Sequence, residues 1–442
     1  MIVHRTQPTA PTSTGRRPRL ASAIALAIAL AASPASGQGP TTSRFQPAIA
    51  TRPEIRNALA FLDSNFSKQV DEWIRIAEIQ GKSEHEQERA ALVRREMQRS
   101  GLEVTTDSIG NVTARRRGTG GGPTIVFAAH LDIVHPLGTS LSVTKAGDTL
   151  KAPGIFDNSA SLANMLAVIR ALDTAKVRTS GDLVFVATVQ EELGLRGMDY
   201  WLRHNPRPDM LVAMDGGLGP INYGALGIYW SRYHFRSAGS HTVTSRGKPT
   251  PVKALSAAIA RIYQLSPPAL PDGAVYNVGQ VHGGEIFNGI PQELYFTMDL
   301  RSPDPVLLDS LDRTIDRIVE DAARAEGVEW RREVVQKNGA GGTEAMLKER
   351  RRHPLVETAI DVHRFVGIDL PRGREAVATG STDANMGVVR GIPSISIGRS
   401  YGGNQHTLSE WADWPSALKA TKMVLLLAAS LAGLPGSSAI VP

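Results

Sequence analysis

Four short apolar runs constrain the fold of this chain more than any other feature. Each run is continuous rather than alternating: TIVFAA (124–129), LVFVATV (183–189), MLVAM (210–214) and SISI (394–397). Runs of this length without polar alternation are typical of strands buried on both faces, and helical patterns separate several of them. The sequence therefore predicts an α/β sheet with helices on both faces.

The segment from about 221 to 342 follows a different pattern. LGIYWSRYHFRS and ELYFTMDLRS alternate like half-exposed strands, and helices are predicted at about 252–264 and 304–325. Joints rich in Gly, DGGLGP and KNGAGGTE, flank the segment. We therefore predict a domain inserted into a larger one, whose two parts span 45–220 and 343–437.

Two further helices are predicted in the larger domain. SEHEQERAALVRREMQRSG places Ser83 at the expected N-cap, Glu86 three residues later as its capping-box partner, and Gly101 as the stop. The C-terminal MVLLLAASLAG is too short to span a bilayer, which favours a buried helix.

Residues 1–37 have the layout of a secretory signal peptide. Arginines without any acid precede the apolar stretch 20–32, and small residues up to Gly37 offer cleavage sites. A membrane anchor is the less favoured alternative, because the apolar stretch is shorter than the ~20 residues that span a bilayer. We expect an exported protein, periplasmic or secreted, with no membrane contact after cleavage. The Arg16–Arg17 pair leaves the twin-arginine route open.

Charge and cysteine content exclude several kinds of site. The formal net charge is +6, but four arginines belong to the predicted leader, so nucleic-acid binding loses its main support. The chain contains no cysteine, so it forms no disulfide and offers no thiolate ligand. A metal site would have to use His, Asp and Glu.

Polar side chains follow each of the four apolar runs. Ligands of open α/β sheets lie at the carboxyl ends of the strands, so we expect these side chains to converge. A fifth acid, Asp157, lies on a Gly-rich loop directly before a predicted helix. The residues that follow the four runs, in chain order, are His130 and Asp132, Glu191 and Glu192, Asp215, and, somewhat later, His406.

Taken singly, each of these residues has an ordinary structural explanation as a turn, a cap, a core hydrogen bond or a solvated loop. Together, several uncompensated carboxylates beside buried strands would repel one another, and a divalent cation is the usual remedy. Two imidazoles with three carboxylates suit a zinc pair that shares one carboxylate. Of the adjacent Glu191 and Glu192, one can bind metal while its neighbour stays free as a general base.

The order and spacing of these motifs resemble a known family across residues 70–435. The motifs are HLD, GIFDNSAS, VQEELGLRG, MDGG and STDANMGVVRGIPSISIGRSYGGNQHTLSEW. They resemble the co-catalytic di-zinc exopeptidases and amidohydrolases of the aminoacylase, carboxypeptidase G, succinyl-diaminopimelate desuccinylase and tripeptidase (peptidase T) group. The resemblance implies a phosphorylase/hydrolase-like zinc exopeptidase sheet with an inserted α+β lid or dimerisation domain.

The resemblance also implies an activity. Short peptides would be hydrolysed through a zinc-bridged hydroxide, with N-acyl amino acid amides as the alternative substrates. A non-catalytic binding protein on the same fold is a less favoured alternative, because it predicts missing ligands. The lid could pair two subunits into a homodimer or merely close over the site.

Each metal ligand receives a role from the resemblance. His130 and Asp215 should hold one zinc, Glu192 and His406 the other, and Asp157 should bridge the two. Two Zn²⁺ per subunit are expected, although Co²⁺ or Mn²⁺ can occupy such nitrogen and oxygen sites. A cis peptide is implied after the bridging acid, between Asp157 and Asn158.

The remaining roles concern the reaction and the substrate. Glu191 would be the general base, and Asp132 would orient His130. His241 corresponds to a histidine that stabilises the oxyanion, usually in the partner subunit's active site. Asn288 and Arg301 stand where members of the family hold the substrate.

Overall fold

The computed structural model describes residues 42–371 and 378–436. The predicted signal peptide lies outside the described residues. Export therefore stays a prediction.

Strands occur throughout the described part of the chain, and most belong to two sheets. In chain order they are β1 (Glu103–Thr106), β2 (Val112–Arg116), β3 (Ile125–His130), β4 (Thr144–Ala146), β5 (Thr149–Lys151), β6 (Leu183–Thr188), β7 (Met210–Met214), β8 (Ile221–Asn222), β9 (Gly224–Ala225), β10 (Gly227–Arg236), β11 (Ser240–His241), β12 (Val275–Gly283), β13 (Gly289–Ile290), β14 (Glu293–Ser302), β15 (Glu329–Asn338), β16 (Thr379–Gly380), β17 (Ser394–Ile397), β18 (Tyr401–Gly403) and β19 (Trp411–Asp413).

The α-helices alternate with these strands in much of the chain. They are α1 (Pro53–Ser64), α2 (Phe66–Ala77), α3 (Gln87–Arg99), α4 (Ala160–Thr174), α5 (Arg196–His204), α6 (Pro251–Ile262), α7 (Pro305–Glu326), α8 (Glu344–Arg350), α9 (Pro354–Phe365), α10 (Ala384–Val388) and α11 (Ala417–Ala432).

The four predicted apolar runs form the centre of the larger sheet. Its seven strands lie in the order β1-β2-β6-β3-β7-β17-β8. β3 pairs in parallel with β6 and with β7, and β7 pairs in parallel with β17. Every residue of these four strands is buried, which explains why the runs carry no polar alternation. Because the four strands are parallel, their carboxyl ends meet at one edge.

Helices cover both faces of the larger sheet, so the predicted fold class is confirmed. On one face, Phe127 and Phe185 belong to a large core that also contains the buried sides of α4 and α11. On the other face, Val126 and Val184 pack with Trp201 of α5. The segment Trp414–Ala432, which contains α11, is long and apolar enough to cross a membrane, so the expectation that it is too short was wrong, but 78% of its most apolar window is buried. That burial agrees with the buried helix predicted there.

A second sheet, residues 227–338, has a core of its own. Its strands are antiparallel in the order β12-β14-β10-β15. The predicted alternation is seen in β14, where every second residue is buried. α6 and α7 cover one face, and Tyr233 and Phe296 pack there with Ile315 of α7. This α+β arrangement matches the expected lid, while the division into domains stays a prediction.

The joint before the lid differs slightly from the predicted position. β8 still belongs to the larger sheet, where it pairs with β17. The second sheet begins at Gly227, a few residues later than the predicted start of the inserted segment.

One predicted cap is wrong. Helix α3 begins at Gln87 after an N-cap at Glu86, not after Ser83. The Ser83 hydroxyl instead donates to Asp132 Oδ2 over 2.6 Å, and Glu86 Oε1 accepts the N–H of Gln190 over 3.0 Å. Both side chains therefore form hydrogen bonds with loop residues at the edge of the sheet, and neither caps the helix.

Candidate active site

His130 ends strand β3 and points its outer nitrogen at two carboxylates. The ring is only 2% exposed. Its Nε2 lies 3.1 Å from Asp157 Oδ1 and 4.0 Å from Asp215 Oδ2. Its Nδ1 lies 3.0 Å from the backbone oxygen of Asp132, closer than the carboxylate of that residue at 3.4 Å. A proton on Nδ1 would leave the Nε2 lone pair facing Asp157 and Asp215, as a metal ligand requires.

The Asp132 carboxylate organises the loop that follows β6. It is fully buried. Its Oδ1 accepts the N–H of Glu191 over 3.0 Å, and its Oδ2 accepts the N–H of Glu192 over 3.0 Å. Gln190 has a φ of 52°, so the chain turns sharply as it leaves the strand. These contacts explain how two adjacent glutamates both reach the site, with Glu191 buried and Glu192 partly buried.

His406 approaches from the opposite side on the loop between β18 and β19. It has a φ of 64°, and side-chain hydrogen bonds within the loop, such as Thr407 Oγ1 to Asn404 O over 2.8 Å, support this conformation. His406 Nε2 lies 3.1 Å from Glu192 Oε1 and 3.5 Å from Asp157 Oδ2. Asp157 therefore presents one oxygen to each histidine.

The Asp157 loop is fixed by Glu410. The Glu410 carboxylate accepts the N–H groups of Gly154, Phe156 and Asp157 over 3.0, 2.8 and 2.7 Å. The peptide between Asp157 and Asn158 is cis, as the resemblance implied.

Three overlapping groups of ligand atoms result, and within each group the atoms lie within 4.8 Å of one another. Asp157 belongs to two of them, which is the arrangement predicted for a bridging carboxylate. The donor set, imidazole nitrogen with carboxylate oxygen, fits zinc and similar divalent ions. The groups are His130–Asp157–Asp215, Asp157–Glu192–His406 and His130–Glu191–Glu192.

Without a cation, four members of this cluster have raised pKa values, whereas, against the effect of burial, Arg399 holds the pKa of Asp157 well below its usual range. Burial raises the pKa of Glu191 well above its ordinary value, and burial also raises the pKa of Glu192. Hydrogen bonds to Asp157 and Glu192 raise the pKa of His406 to about 10. Burial alone would lower the pKa of His130, but the surrounding carboxylates, Glu191 first, raise it. Bound divalent cations would replace these protons, so the residues present fit a metal centre.

Comparison with known proteins identifies the family. A family model described as peptidase family M20/M25/M40 matches residues 126–430. The chain belongs to this family. The resemblance inferred from the motifs is thereby confirmed, and the protein is a hydrolase of peptide or amide bonds.

Relatives of this peptidase match nearly along their whole length. An uncharacterized protein of Bacillus subtilis (strain 168), YqjE, is 22% identical over 378 residues, covering 82% of this chain and 98% of the relative. The structure of aminopeptidase PepT from Bacillus cereus ATCC 10987 is similar at a TM-score of 0.66 and 20% identity, covering 84% of this chain and 99% of that one. A tripeptidase from Staphylococcus aureus subsp. aureus Mu50 gives a TM-score of 0.66 at 20% identity, with 83% and 99% covered.

The lid residues lie together in this peptidase, apart from the metal ligands. His241 Nε2 is 3.4 Å from Asn288 Nδ2, and both residues line a cavity of about 1330 Å³. All residues that line this cavity come from the lid. His241 Nδ1 accepts the N–H of Val243 over 3.2 Å. The implied role of His241 in a partner subunit's site stays a prediction.

Arg301 is engaged with its own strand. Its Nε and Nη2 lie 3.0 Å from the two oxygens of Asp299. Among the described residues, no hydrogen bond or ion pair joins Arg301 to the metal ligands. Substrate binding by Arg301 and by Asn288 stays a prediction.

Three residues at the site were missed by the sequence reasoning. Glu410 is described above. Arg399 lies two residues after β17 and contacts both Asp157 and Asp215. Asp383 accepts a hydrogen bond from Thr188 over 2.6 Å, and burial raises its pKa to about 7. Arg399 carried the signal used for the others, a charged residue just after an apolar run.

Proposed function

We propose that the protein is an exported di-zinc exopeptidase that hydrolyses short peptides. One observation carries this proposal: the five ligands predicted from sequence form two groups of three that share Asp157. Ordinary capping or surface roles would not require side chains from three strand ends and two separate loops to converge. Zinc ions bound there would polarise the scissile carbonyl and lower the pKa of a water molecule.

Glu191 is assigned as the general base. It is 7% exposed and belongs to the His130–Glu191–Glu192 group, so it lies beside the ligands. Burial raises its pKa, the direction required for a carboxylate that accepts a proton near neutral pH. Glu191 would take a proton from the attacking water and pass it to the leaving amine as the C–N bond breaks. His241 would donate to the developing oxyanion from a partner's lid.

The substrate class rests on the names of the relatives. The two solved relatives are called an aminopeptidase and a tripeptidase. We therefore place short peptides first and N-acyl amino acids second. Homodimerisation through the lid would complete each site with the partner's histidine.

The test is a turnover assay on the zinc-loaded protein. A mixed panel of dipeptides, tripeptides and N-acyl amino acids would be incubated with the native protein and with Glu191→Gln, and the products would be read by mass spectrometry. We expect peptide hydrolysis by the native protein and a loss of about 10²–10⁴-fold in Glu191→Gln, with zinc content unchanged. Asp157→Ala, by contrast, should lose zinc.

Glu96→Gln is the matched control. Glu96, on α3, is also a buried glutamate, but it lies outside the ligand groups. Its carboxylate pairs with Arg170 of α4 over 2.9 Å. Its turnover should remain at the native level. Full turnover in Glu191→Gln would refute the base assignment, and cleavage of N-acyl amino acids alone would move the enzyme to the amidohydrolase class.

A further inference from the structure

Arg399 is a buried cation inside the candidate metal centre. It is 1% exposed. Its Nη2 lies 3.1 Å from Asp157 Oδ1, and its Nη1 forms a close ion pair with Asp215 Oδ1. The guanidinium also stacks over the ring of Phe156, with its central carbon 4.1 Å from the ring centroid. Such burial keeps Arg399 away from substrate, so its charge acts on the carboxylates.

The contacts of Arg399 favour one of the two ligand groups. Both acids of the His130–Asp157–Asp215 group are paired with the guanidinium. Among the described residues, no hydrogen bond or ion pair joins Arg399 to Glu192 or His406. The fixed positive charge is therefore placed on one side of the site.

On Asp215 the guanidinium leaves one oxygen for a cation, whereas on Asp157 the guanidinium and His130 Nε2 both face Oδ1. Arg399 uses Oδ1 of Asp215, whereas Oδ2 of the same carboxylate is the oxygen that faces His130 Nε2. A divalent ion could bind between that oxygen and the ring while Arg399 stays. Arginine remains charged at any ordinary pH. The Arg399 guanidinium would therefore repel a divalent ion that binds the same two carboxylates, Asp157 and Asp215.

The same charge has the opposite effect in the metal-free protein. Buried carboxylates without a counter-charge destabilise a fold, and Arg399 neutralises two of them. Removing the arginine should therefore cost the metal-free form more stability than the metal-bound form. By thermodynamic linkage, that difference appears as tighter metal binding in the variant.

We propose that Arg399 is a resident cation of the metal centre that makes its loading stepwise, so that the Glu192–His406 position fills before the His130–Asp215 position. This inference rests on the proposed di-zinc function. A purely orienting role for Arg399 predicts the opposite sign, because loss of a residue that orients metal ligands weakens metal binding about 10–100-fold.

The test is zinc titration of the chelator-treated protein, followed by competition with a coloured zinc indicator. In the native protein we expect two binding steps whose affinities differ by at least about tenfold. In Arg399→Gln the weaker step should tighten by at least about tenfold. Arg332→Gln is the matched control, because Arg332 also bridges two aspartates, Asp312 and Asp316, but within the lid. The control should titrate like the native protein.

Two further variants keep Arg399 and assign the steps, so the test survives if Arg399→Gln fails to fold. His406→Asn should remove the tighter step, and Asp215→Asn should remove the weaker one. The inference is overturned by equal affinities in the native protein, by loss of the tighter step in Asp215→Asn, or by unchanged or weaker binding in Arg399→Gln. If the native protein binds no zinc, both the stepwise loading and the proposed di-zinc function fail. If it binds two zinc ions with equal affinity, only the stepwise loading fails.

Discussion

A single buried carboxylate, Asp132, sets the positions of several catalytic candidates. It accepts the backbone N–H groups of Glu191 and Glu192 and the hydroxyl of Ser83. Its role is therefore wider than orienting His130, which contacts the Asp132 backbone more closely than its side chain. Three donors satisfy the oxygens of this carboxylate in the protein interior.

Ser83→Ala should destabilise the protein through this carboxylate. The substitution removes a buried 2.6 Å hydrogen bond and leaves Asp132 one donor short. We expect the free energy of unfolding to fall by about 1–3 kcal/mol, measured by urea denaturation. Ser64→Ala is the control, because the exposed Ser64 hydroxyl donates to Phe61 O over 3.2 Å and accepts from Asn65 Nδ2 over 3.2 Å, where water can replace both contacts; its effect should stay within about 0.5 kcal/mol. Equal effects in the two variants would mean that the Ser83 contact contributes nothing.

Charged residues at the site show where sequence reasoning ends. His130, Glu191, Glu192 and Asp215 follow apolar runs directly, so their convergence could be predicted from strand direction alone. The partners of Ser83 and Arg399 are distant in sequence, and only the folded chain shows which donors Asp132 and Asp215 receive. The capping pattern at Ser83 therefore predicts a helix start that the structure does not have, because the Ser83 hydroxyl donates to Asp132 at the sheet edge.

The elements of the fold were predictable to different extents. The four central strands match their predicted runs within a residue, because burial on both faces leaves no ambiguity about their apolar character. α7 also matches closely: Asp304 caps its start, accepting the N–H of Val306 over 2.8 Å, and Gly327 with a φ of 69° ends it. Short strands such as β8 and β9 carry no such pattern, since each has only two residues.

Helix α9 carries a buried histidine that makes stability depend on pH. Burial lowers the pKa of His363 to about 4, from an ordinary 6.5, and its Nε2 has no hydrogen-bond partner. Below pH 6.5 the unfolded chain takes up a proton at this ring that the folded chain does not. The free energy of unfolding therefore decreases as the pH falls, and His363 accounts for about 2 kcal/mol of that decrease between pH 7 and pH 5.

His363→Leu should remove that part of the pH dependence. Urea denaturation at pH 7 and at pH 5 gives the change in unfolding free energy for each protein. We expect the native protein to lose about 2 kcal/mol more than the variant over this interval. His204→Leu on α5 is the control at an exposed ring and should behave like the native protein. A variant with the native slope would show that His363 takes up a proton equally in the folded and unfolded states.

At the scale of the whole molecule, stability should depend on the metal centre. The five ligands come from the carboxyl ends of β3, β6 and β7 and from the loops that hold Asp157 and His406, so bound cations would tie together segments far apart in the chain. Each of two ions at about 100 times its Kd would add about 2.7 kcal/mol to the free energy of unfolding, about 5.4 kcal/mol together. For a chain of 442 residues, whose unfolding entropy is about 0.9 kcal/mol/K, that corresponds to a rise in Tm of roughly 6 °C.

Calorimetry in excess zinc and after chelation measures this rise. The Arg332→Gln variant should show the native difference between the two conditions, because its ion pairs lie in the lid. A Tm that does not respond to zinc would argue against a cation shared by these loops.

The central claim is that five side chains gather two cations around one shared carboxylate. Anomalous scattering at the zinc edge, recorded from crystals grown in excess zinc, locates the ions directly. We predict two peaks with Asp157 between them, one beside His130 and Asp215 and the other beside Glu192 and His406. Zinc bound elsewhere, or the absence of any peak among these five residues, would contradict the claim.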